Sequence, residues 1–264
     1  MSPPDKTAAD LWDPTQYLRF ADERLRPAID LLARVPLAAP KRVVDLGCGA
    51  GNVTALLAAR FAGAAVAGVD GSAAMLERAR KAAPGAHFVQ ADIAAWHPDA
   101  PVDLLFSNAA LQWLGAHRTL LPHLIGQIAP GGVMAVQMPA MNAAPLRAVQ
   151  LAVAARGPWA AALAEVRPAP PILDVAAYDE MLSPYFATLE IWETIYLHVL
   201  RGPDAVVEWA SGTSLRPYLD RLDEGLRAGF RHAYAEALRP HYPARTDGTT
   251  LLPFRRMFLL GRKA

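Results

Sequence analysis

The sequence predicts an α/β protein built on a doubly wound, mostly parallel sheet, and three observations carry that expectation. Between residues 42 and 139, short apolar runs rich in β-branched residues alternate with helix-like segments, the pattern of a parallel sheet covered on both faces. The first run, Arg42-Val43-Val44-Asp45-Leu46, leads directly into Gly47, Gly49 and Gly51, the composition of a tight loop between a strand and a helix. An acid, Asp70, closes the second run about 20 residues past the glycines, where a doubly wound sheet places the carboxylate that holds a ribose.

In chain order, Met1 to Asp10 is polar and small, a frayed tail, and ordered structure is expected from about Trp12. Asp13 stands as an N-cap with Pro14 at the first helical position. Tyr17, Leu18, Phe20, Leu25, Ile29 and Leu32 then recur at helical spacing, which predicts a helical arm over 12–36 whose apolar face packs on a core. Pro36 and Pro40 separate this arm from the first strand. Strands are expected at about Arg42 to Leu46, Ala64 to Val69, His87 to Gln90, Val102 to Ser107 and Gly132 to Met138, with a helix beginning at Thr54 behind the glycine loop. Without a Cβ, the three glycines can take positive φ and leave room for a small molecule over the loop. Ser72 can cap the helix that carries Met75 and Leu76, and Asp92 with Ile93 closes the third strand on the same carboxyl edge. Ser107-Asn108-Ala109-Ala110-Leu111-Gln112-Trp113 follows the fourth strand beside the point where the strand order reverses, the ligand edge of such sheets. Pro130-Gly131-Gly132 reads as a turn entering the fifth strand.

After Pro139 the rhythm changes. Met141 to Leu182 is Ala-rich and helical, broken at Gly157-Pro158 and at Pro168, Pro170 and Pro171, while Pro203 to Tyr242 is again helical. Between them, Ala187 to Leu200 has strand composition. Thr249 to Leu260 reads as a final strand in which Pro253 signals an edge, a bulge or a later start. No linker or repeat interrupts the chain, so the expected organisation is one domain over 12–264. It comprises the arm 12–36, a cofactor-binding core 42–139, helical insertions 141–182 and 203–242 forming a lid, and the strand 249–260.

Composition narrows the function classes. With 264 residues, 53% of them hydrophobic, the chain can bury a full core. Twenty-six basic against 25 acidic residues leave a net charge of +1, so no global field recruits nucleic acid or an anionic membrane. A single cysteine, Cys48, excludes an intramolecular disulfide framework and a Cys-rich metal site, and no metal is expected. No signal peptide and no apolar run long enough to span a bilayer are visible, and a cytoplasmic location is expected. Cys48 lies in the glycine loop with no neighbouring His, which favours a packing residue over a nucleophile.

The glycines read G-x-G-x-G after Asp45-Leu46, whereas a dinucleotide fingerprint reads G-x-G-x-x-G. With Asp70, Asp92 and the Asn108 segment in order, this pattern resembles the class I S-adenosylmethionine-dependent methyltransferases, whose sheet is Rossmann-like. The resemblance implies S-adenosyl-L-methionine as cofactor, with S-adenosyl-L-homocysteine as product. It further implies that Gly47, Gly49 and Gly51 line the methionine end, that Asp70 takes the ribose hydroxyls, that Asp92 and Ile93 flank the adenine, and that Asn108 lies near the sulfonium. Asp45, Ser72, Met75, Ala109 and Trp113, at the same strand ends, are assigned to cofactor binding with them. A narrower similarity is to the trans-aconitate 2-methyltransferases. It is carried by Trp12-Asp13-Pro14 with Tyr17, Phe20, Glu23-Arg24 and Arg26-Pro27-Ala28, then by Asn108 to Leu114 and Ala135-Val136-Gln137-Met138-Pro139, and finally by Leu215-Arg216-Pro217 and Leu251 to Phe258. Ala143 to Asp174 departs from the family pattern.

The implied reaction transfers a methyl to a carboxylate oxygen of a small polycarboxylic acid, giving a monomethyl ester. Such an acceptor is ionised at neutral pH, so no general base is required and no catalytic residue is named; positioning is what the protein must supply. Arginine forks match carboxylates, which makes Arg19, Arg24, Arg216 and Arg255 the candidates for holding the acid, with Arg256 beside them; Tyr17, Tyr178, Tyr196, His198 and Trp209 can close the pocket. The alternatives are methylation of another small molecule, an NAD-dependent oxidoreductase, which the glycine spacing disfavours, and a non-enzymatic cofactor sensor. A nucleic-acid methyltransferase lacks support, because Asn108-Ala109-Ala110 stands where a base-clamping Asn-Pro-Pro-aromatic motif would be and no basic stripe is present. Oligomeric state is not encoded in any of these features.

Overall fold

The structure is a computed structural model and describes residues 25–264. The expected helix start at Asp13 and the candidates Tyr17, Arg19 and Arg24 lie outside the described residues. Seven strands form one sheet: β1 (Arg42–Leu46), β2 (Ala65–Asp70), β3 (His87–Gln90), β4 (Val102–Asn108), β5 (Ile128–Pro139), β6 (Phe186–Arg201) and β7 (Thr249–Lys263), in the order β3-β2-β1-β4-β5-β7-β6. The first five strands pair in parallel, and β7 runs antiparallel to β5, with Val133 opposite Arg262 and Pro139 opposite Arg256. The order reverses between β1 and β4, so their carboxyl ends flank a crevice.

The chain divides into two compact units. Of the described residues, the first contains 25–139, Ile172–Glu193 and Arg256–Ala264. Its central strands read as unbroken apolar runs because helices cover both faces, and Val43, Val44, Leu46, Leu104, Leu105, Phe106, Val133 to Val136 and Met138 are all buried. The covering helices are α1 (Arg26–Arg34), α2 (Asn52–Arg60), α3 (Ala73–Ala82) and α4 (His117–Gly126). Pro27 sits in the first turn of α1, where a missing N–H costs nothing. Arg34 at the end of α1 lies 4.6 Å over the Trp192 ring, which stacks on Phe258. Asp103 on β4 accepts hydrogen bonds from the backbone N–H groups of Lys41 and Arg42, fixing the start of β1.

The Pro130-Gly131-Gly132 stretch is a bulge inside β5, not a turn before it: Val102 faces Ile128 while Leu104 already faces Val133. Gly131 absorbs the irregularity at φ +74°. The segment α7 (Val175–Leu182), expected among the lid helices, belongs to the sheet unit. Its Tyr178 is fully buried, with its hydroxyl 2.5 Å from Nδ1 of His117 on α4.

The second unit comprises Ala140–Pro171 and Thr194–Arg255. Here α5 (Pro145–Ala154), α6 (Ala160–Leu163), α8 (Ala205–Ser211), α9 (Arg216–Leu219) and α10 (Glu224–Leu238) enclose a core of their own. Phe230 stacks parallel to both Tyr218 and Tyr234 and meets Trp159 edge-on. The Tyr234 hydroxyl donates to the Leu146 carbonyl at 2.8 Å, tying α10 to α5, and Asp223 caps α10 by accepting from the Leu226 N–H. Pro253 falls in the part of β7 that belongs to this unit, ahead of the residues that pair with β5. Among the described residues no helix is long and apolar enough to cross a membrane.

Candidate functional site

The candidate site is built where β1 ends. Gly47 and Cys48 both donate backbone hydrogen bonds to the Val69 carbonyl, which folds the loop back over β2. All three loop glycines have positive φ, at +73°, +53° and +83°, but they serve different ends. A Cβ on Gly47 would lie 2.2 Å from the Ala110 Cβ, and one on Gly51 would lie 2.7 Å from Ala79 Cα, so both positions are closed by protein packing. A Cβ on Gly49 would meet nothing within 4 Å. Of the three, Gly49 is the one whose missing side chain leaves space for a ligand.

The acids around this loop hold its shape. Asp45 is buried, and Thr54, one turn into α2, donates a 2.7 Å hydrogen bond to its Oδ2. The Asp45 carboxyl is pushed up to about 7, chiefly by burial, with the Thr54 hydrogen bonds working against the rise and nearby Asp70 adding to it. Asp70 accepts from Gly49 N–H at 2.9 Å through one oxygen and from Ser72 N–H at 2.8 Å through the other. Each carboxylate oxygen can accept a second bond, so both remain able to meet a hydroxyl. Ser72 caps α3 by accepting from Met75 N–H, and Met75 is half-buried. Asp92 likewise caps the short 3-10 turn Ile93–Ala95 through a 2.9 Å bond from Ala94 N–H. Ile93 Cδ1 stands 3.5 Å from where a Gly47 side chain would begin, so it borders the loop. Burial drives the Cys48 thiol up to about 12, which leaves it a packing group.

The turn after β4 is equally constrained. Ser107 donates to the Leu46 carbonyl at 2.8 Å, joining the ends of β4 and β1. Ala109 takes φ +54°, unusual for a residue with a Cβ; its N–H donates to the Gln137 carbonyl and its own carbonyl accepts from the Gln112 amide at 2.7 Å. Trp113 is 47% exposed, so its indole is not part of the core. His117 donates from Nε2 to the Leu111 carbonyl at 2.9 Å and accepts at Nδ1 from the Tyr178 hydroxyl, which pins this turn to α7.

The site residues expected from the sequence on β1 to β4 thus converge on one edge of the sheet. Those expected to hold an acid are divided between the two units, apart from Tyr17, Arg19 and Arg24, which lie outside the described residues. Tyr178 is buried in the sheet unit against His117. Tyr196, Trp209, Arg216 and Arg255 belong to the second unit. There Tyr196 is buried, Trp209 packs on His198 with ring centroids 4.5 Å apart, and Arg255 is exposed. Arg216 is 68% exposed at its side chain and lies 3.6 Å from Asp220. The arginine inside the sheet unit is Arg256, 4% exposed, which donates to Gln137 Oε1 at 3.3 Å. Strand alternation turns Arg256 inward and Arg255 outward. Gln137, a polar residue inside the apolar run Ala135 to Met138, was the available sequence signal for this pair. Among the described residues there is no cluster of three or more His, Cys, Asp or Glu side chains suited to a metal ion.

The reversed strand order, the antiparallel β7 and the acid-flanked glycine loop define a Rossmann-like methyltransferase sheet, and residues 43–132 match the family model for a methyltransferase domain. The YcgJ protein of Bacillus subtilis shares the fold, with a TM-score of 0.58 at 15% identity over 89% of this chain and 97% of that one. The similarity becomes specific among curated proteins. A trans-aconitate 2-methyltransferase of Paracidovorax citrulli is 51% identical over 96% of this chain and 98% of its own length, and one of Methylobacterium radiotolerans is 52% identical over the same shares. The chain belongs to the trans-aconitate 2-methyltransferase family.

Proposed function

We propose that this protein is an S-adenosylmethionine-dependent O-methyltransferase that esterifies one carboxylate of trans-aconitate to the monomethyl ester. The observation that carries the reading is the roughly half-identical match to the family over 96% of the chain, which extends well beyond the cofactor domain at residues 43–132. The cofactor assignment is supported by the fit of the loop: Gly49 leaves open space above the backbone, Asp70 has oxygens to offer a ribose, and Asp92 with Ile93 stands one strand further out for an adenine. Bound there by the glycine loop, Asp70 and Asp92, S-adenosylmethionine would supply an electrophilic sulfonium methyl for a carboxylate oxygen, the C–S bonding pair staying on sulfur to leave a neutral thioether.

No proton has to be removed from an ionised acid, so the work of the chain is orientation. Holding the reacting atoms in line is worth up to about 7 to 11 kcal/mol in well-oriented systems. Asn108 and Ala109 form the rigid wall beside the reacting centre, held by Ser107, Gln112 and the Gln137 backbone. On this reading the helical second unit acts as the lid, an assignment supported by the family-like Leu215-Arg216-Pro217 segment. The balanced charge and the single packed cysteine suit a small-molecule enzyme of the cytoplasm.

The test is product analysis with a panel of small polycarboxylates, uncharged acceptors and S-adenosylmethionine. A trans-aconitate ester heavier than the acid by one methylene is expected. Methylation of an uncharged acceptor in its place would overturn the substrate, and tight binding of NAD without any of S-adenosylhomocysteine would overturn the enzyme class.

A further inference from the structure

Resting on that reading, we propose that Gln137 is the residue that reads a carboxylate of the acceptor acid, donating from its amide nitrogen, and that Arg256 acts through it as a positioning residue. Gln137 lies on β5 directly opposite Asn108 on β4, so the two side chains leave the same face of the sheet at its carboxyl edge. Its side chain is fully buried. Arg256, opposite Pro139 on β7, donates to its Oε1 at 3.3 Å. A guanidinium has only donors, so this contact fixes the carbonyl end of the amide toward the arginine and turns the NH2 end away from it.

Among the described residues that NH2 group has no hydrogen-bond partner, and neither do the buried Oδ1 of Asn108 and Oε1 of Gln112 in the turn after β4. Buried polar atoms are rarely left so, because each loses its water without compensation. Three of them at the ligand edge of one sheet describe a site for polar guests, and of the three only the Gln137 NH2 is a donor, the group that can meet an anion; the two oxygens call for a donor. The cationic neighbour also polarises the Gln137 amide and makes its N–H the better donor to an anion.

Topology assigns this group to the acceptor and not to the cofactor. The candidates for the nucleoside part of the cofactor stand at the ends of β1, β2 and β3 and those for its sulfonium end follow β4, whereas β5 lies one strand further on. At a strand spacing of about 4.8 Å, Gln137 is roughly 14 Å across the sheet from the strand of Asp70. A nucleotide bound over β1 to β3 therefore leaves the β4–β5 end to the acid, with the methyl passing between them near Asn108.

The experiment first measures ester formation by the parent with trans-aconitate. If the parent makes no ester from any acid, the proposed function fails and this inference with it. If the parent is active, Gln137→Glu and Gln137→Met, both close in volume to glutamine, are compared with it. Losing a hydrogen bond to a charged group should raise the KM for the acid roughly 10- to 100-fold, most in Gln137→Glu, which offers only acceptors to an anion. S-adenosylhomocysteine affinity by calorimetry should stay within about twofold, because these atoms do not face the nucleotide. Arg256→Met should raise KM in the parent background and add little in the Gln137→Met background, since it works through the amide it orients. Parent-like KM in both Gln137 variants would overturn the assignment while leaving the proposed function standing. Equal loss of S-adenosylhomocysteine binding would overturn it too, and additive losses for Arg256 would overturn its positioning role.

Discussion

Gly47 and Ala110 meet so closely that a methyl group added to the glycine would lie 2.2 Å from the alanine Cβ. The loop after β1 and the turn after β4 are thus in contact, and Gly47 also holds φ +73°. Gly47→Ala should cost about 2 to 5 kcal/mol, from left-handed strain plus overpacking against a side chain too short to move aside. Gly49→Ala carries the strain alone and should cost about 1 to 2 kcal/mol. Its added methyl enters open space, so cofactor affinity should fall on the order of tenfold or more while the fold survives. Thermal melts with and without S-adenosylhomocysteine separate the two variants; equal melting temperatures would show that the two glycines do the same job.

Asp45 should make the protein less stable as pH rises through the acid range. Its folded value lies near 7 against 3.8 for the free side chain, so between those limits the folded state holds more protons than the unfolded one. The contribution is fully present below about pH 4, is lost progressively up to about pH 7, and is flat above that. Relative to Asp45→Asn, which cannot titrate, the parent should therefore lose stability over that window, by at most about 4 kcal/mol at roughly 1.4 kcal/mol per unit. Urea unfolding of both proteins at pH 4, 5.5 and 7.5 checks this; a parallel pair of curves contradicts it.

Asp70 accepts from the Gly49 N–H of the glycine loop and from the Ser72 N–H of the turn after β2, and is the proposed partner of the ribose. Asp70→Ala should weaken S-adenosylhomocysteine binding by about 1.5 to 3 kcal/mol without unfolding the chain. Calorimetry reads it directly, and unchanged affinity would move the ribose elsewhere.

Turnover should follow the ionisation of the substrate and not of a histidine. Activity should fall at low pH as the acid protonates, below about pH 5, with no additional limb between about pH 6 and 8. A limb in that range that disappears on replacing His117, whose two ring nitrogens already face Tyr178 and Leu111, would refute the base-free mechanism.

Tyr178→Phe should be a stability variant with little effect on KM for the acid. It removes the partner of a buried imidazole nitrogen, which costs about 1 to 3 kcal/mol. A raised KM at unchanged melting temperature would return Tyr178 to the substrate pocket.

The geometry of the glycine loop and the strand ends was legible because its information is local. Glycines with special backbone angles, caps at Ser72 and Asp92, and acids at strand ends are each specified within a few residues. Even there the sequence treated the three glycines alike, since which ones are closed depends on Ala110 and Ala79, 63 and 28 residues further along. The buried pair Gln137 and Arg256 was not legible because it depends on strand pairing. Arg255 and Arg256 are indistinguishable by composition, and only the register of β7 on β5 decides which is buried beside Gln137. The same holds for the burial of Tyr178, which depends on α7 belonging to the sheet unit.

The strand order also governs how the chain can be made. β7 is the last of the seven strands to leave the ribosome, yet it lies between β5 and β6. Until it arrives, the 12-residue β5 presents an unpaired edge of apolar residues from Val133 to Val136, the kind of edge that recruits other chains. A transcript that stops before Thr249 would thus yield an aggregation-prone nascent product rather than a shorter working sheet, and overproduction of the intact chain should benefit from slower synthesis or from chaperones that shield this edge during translation.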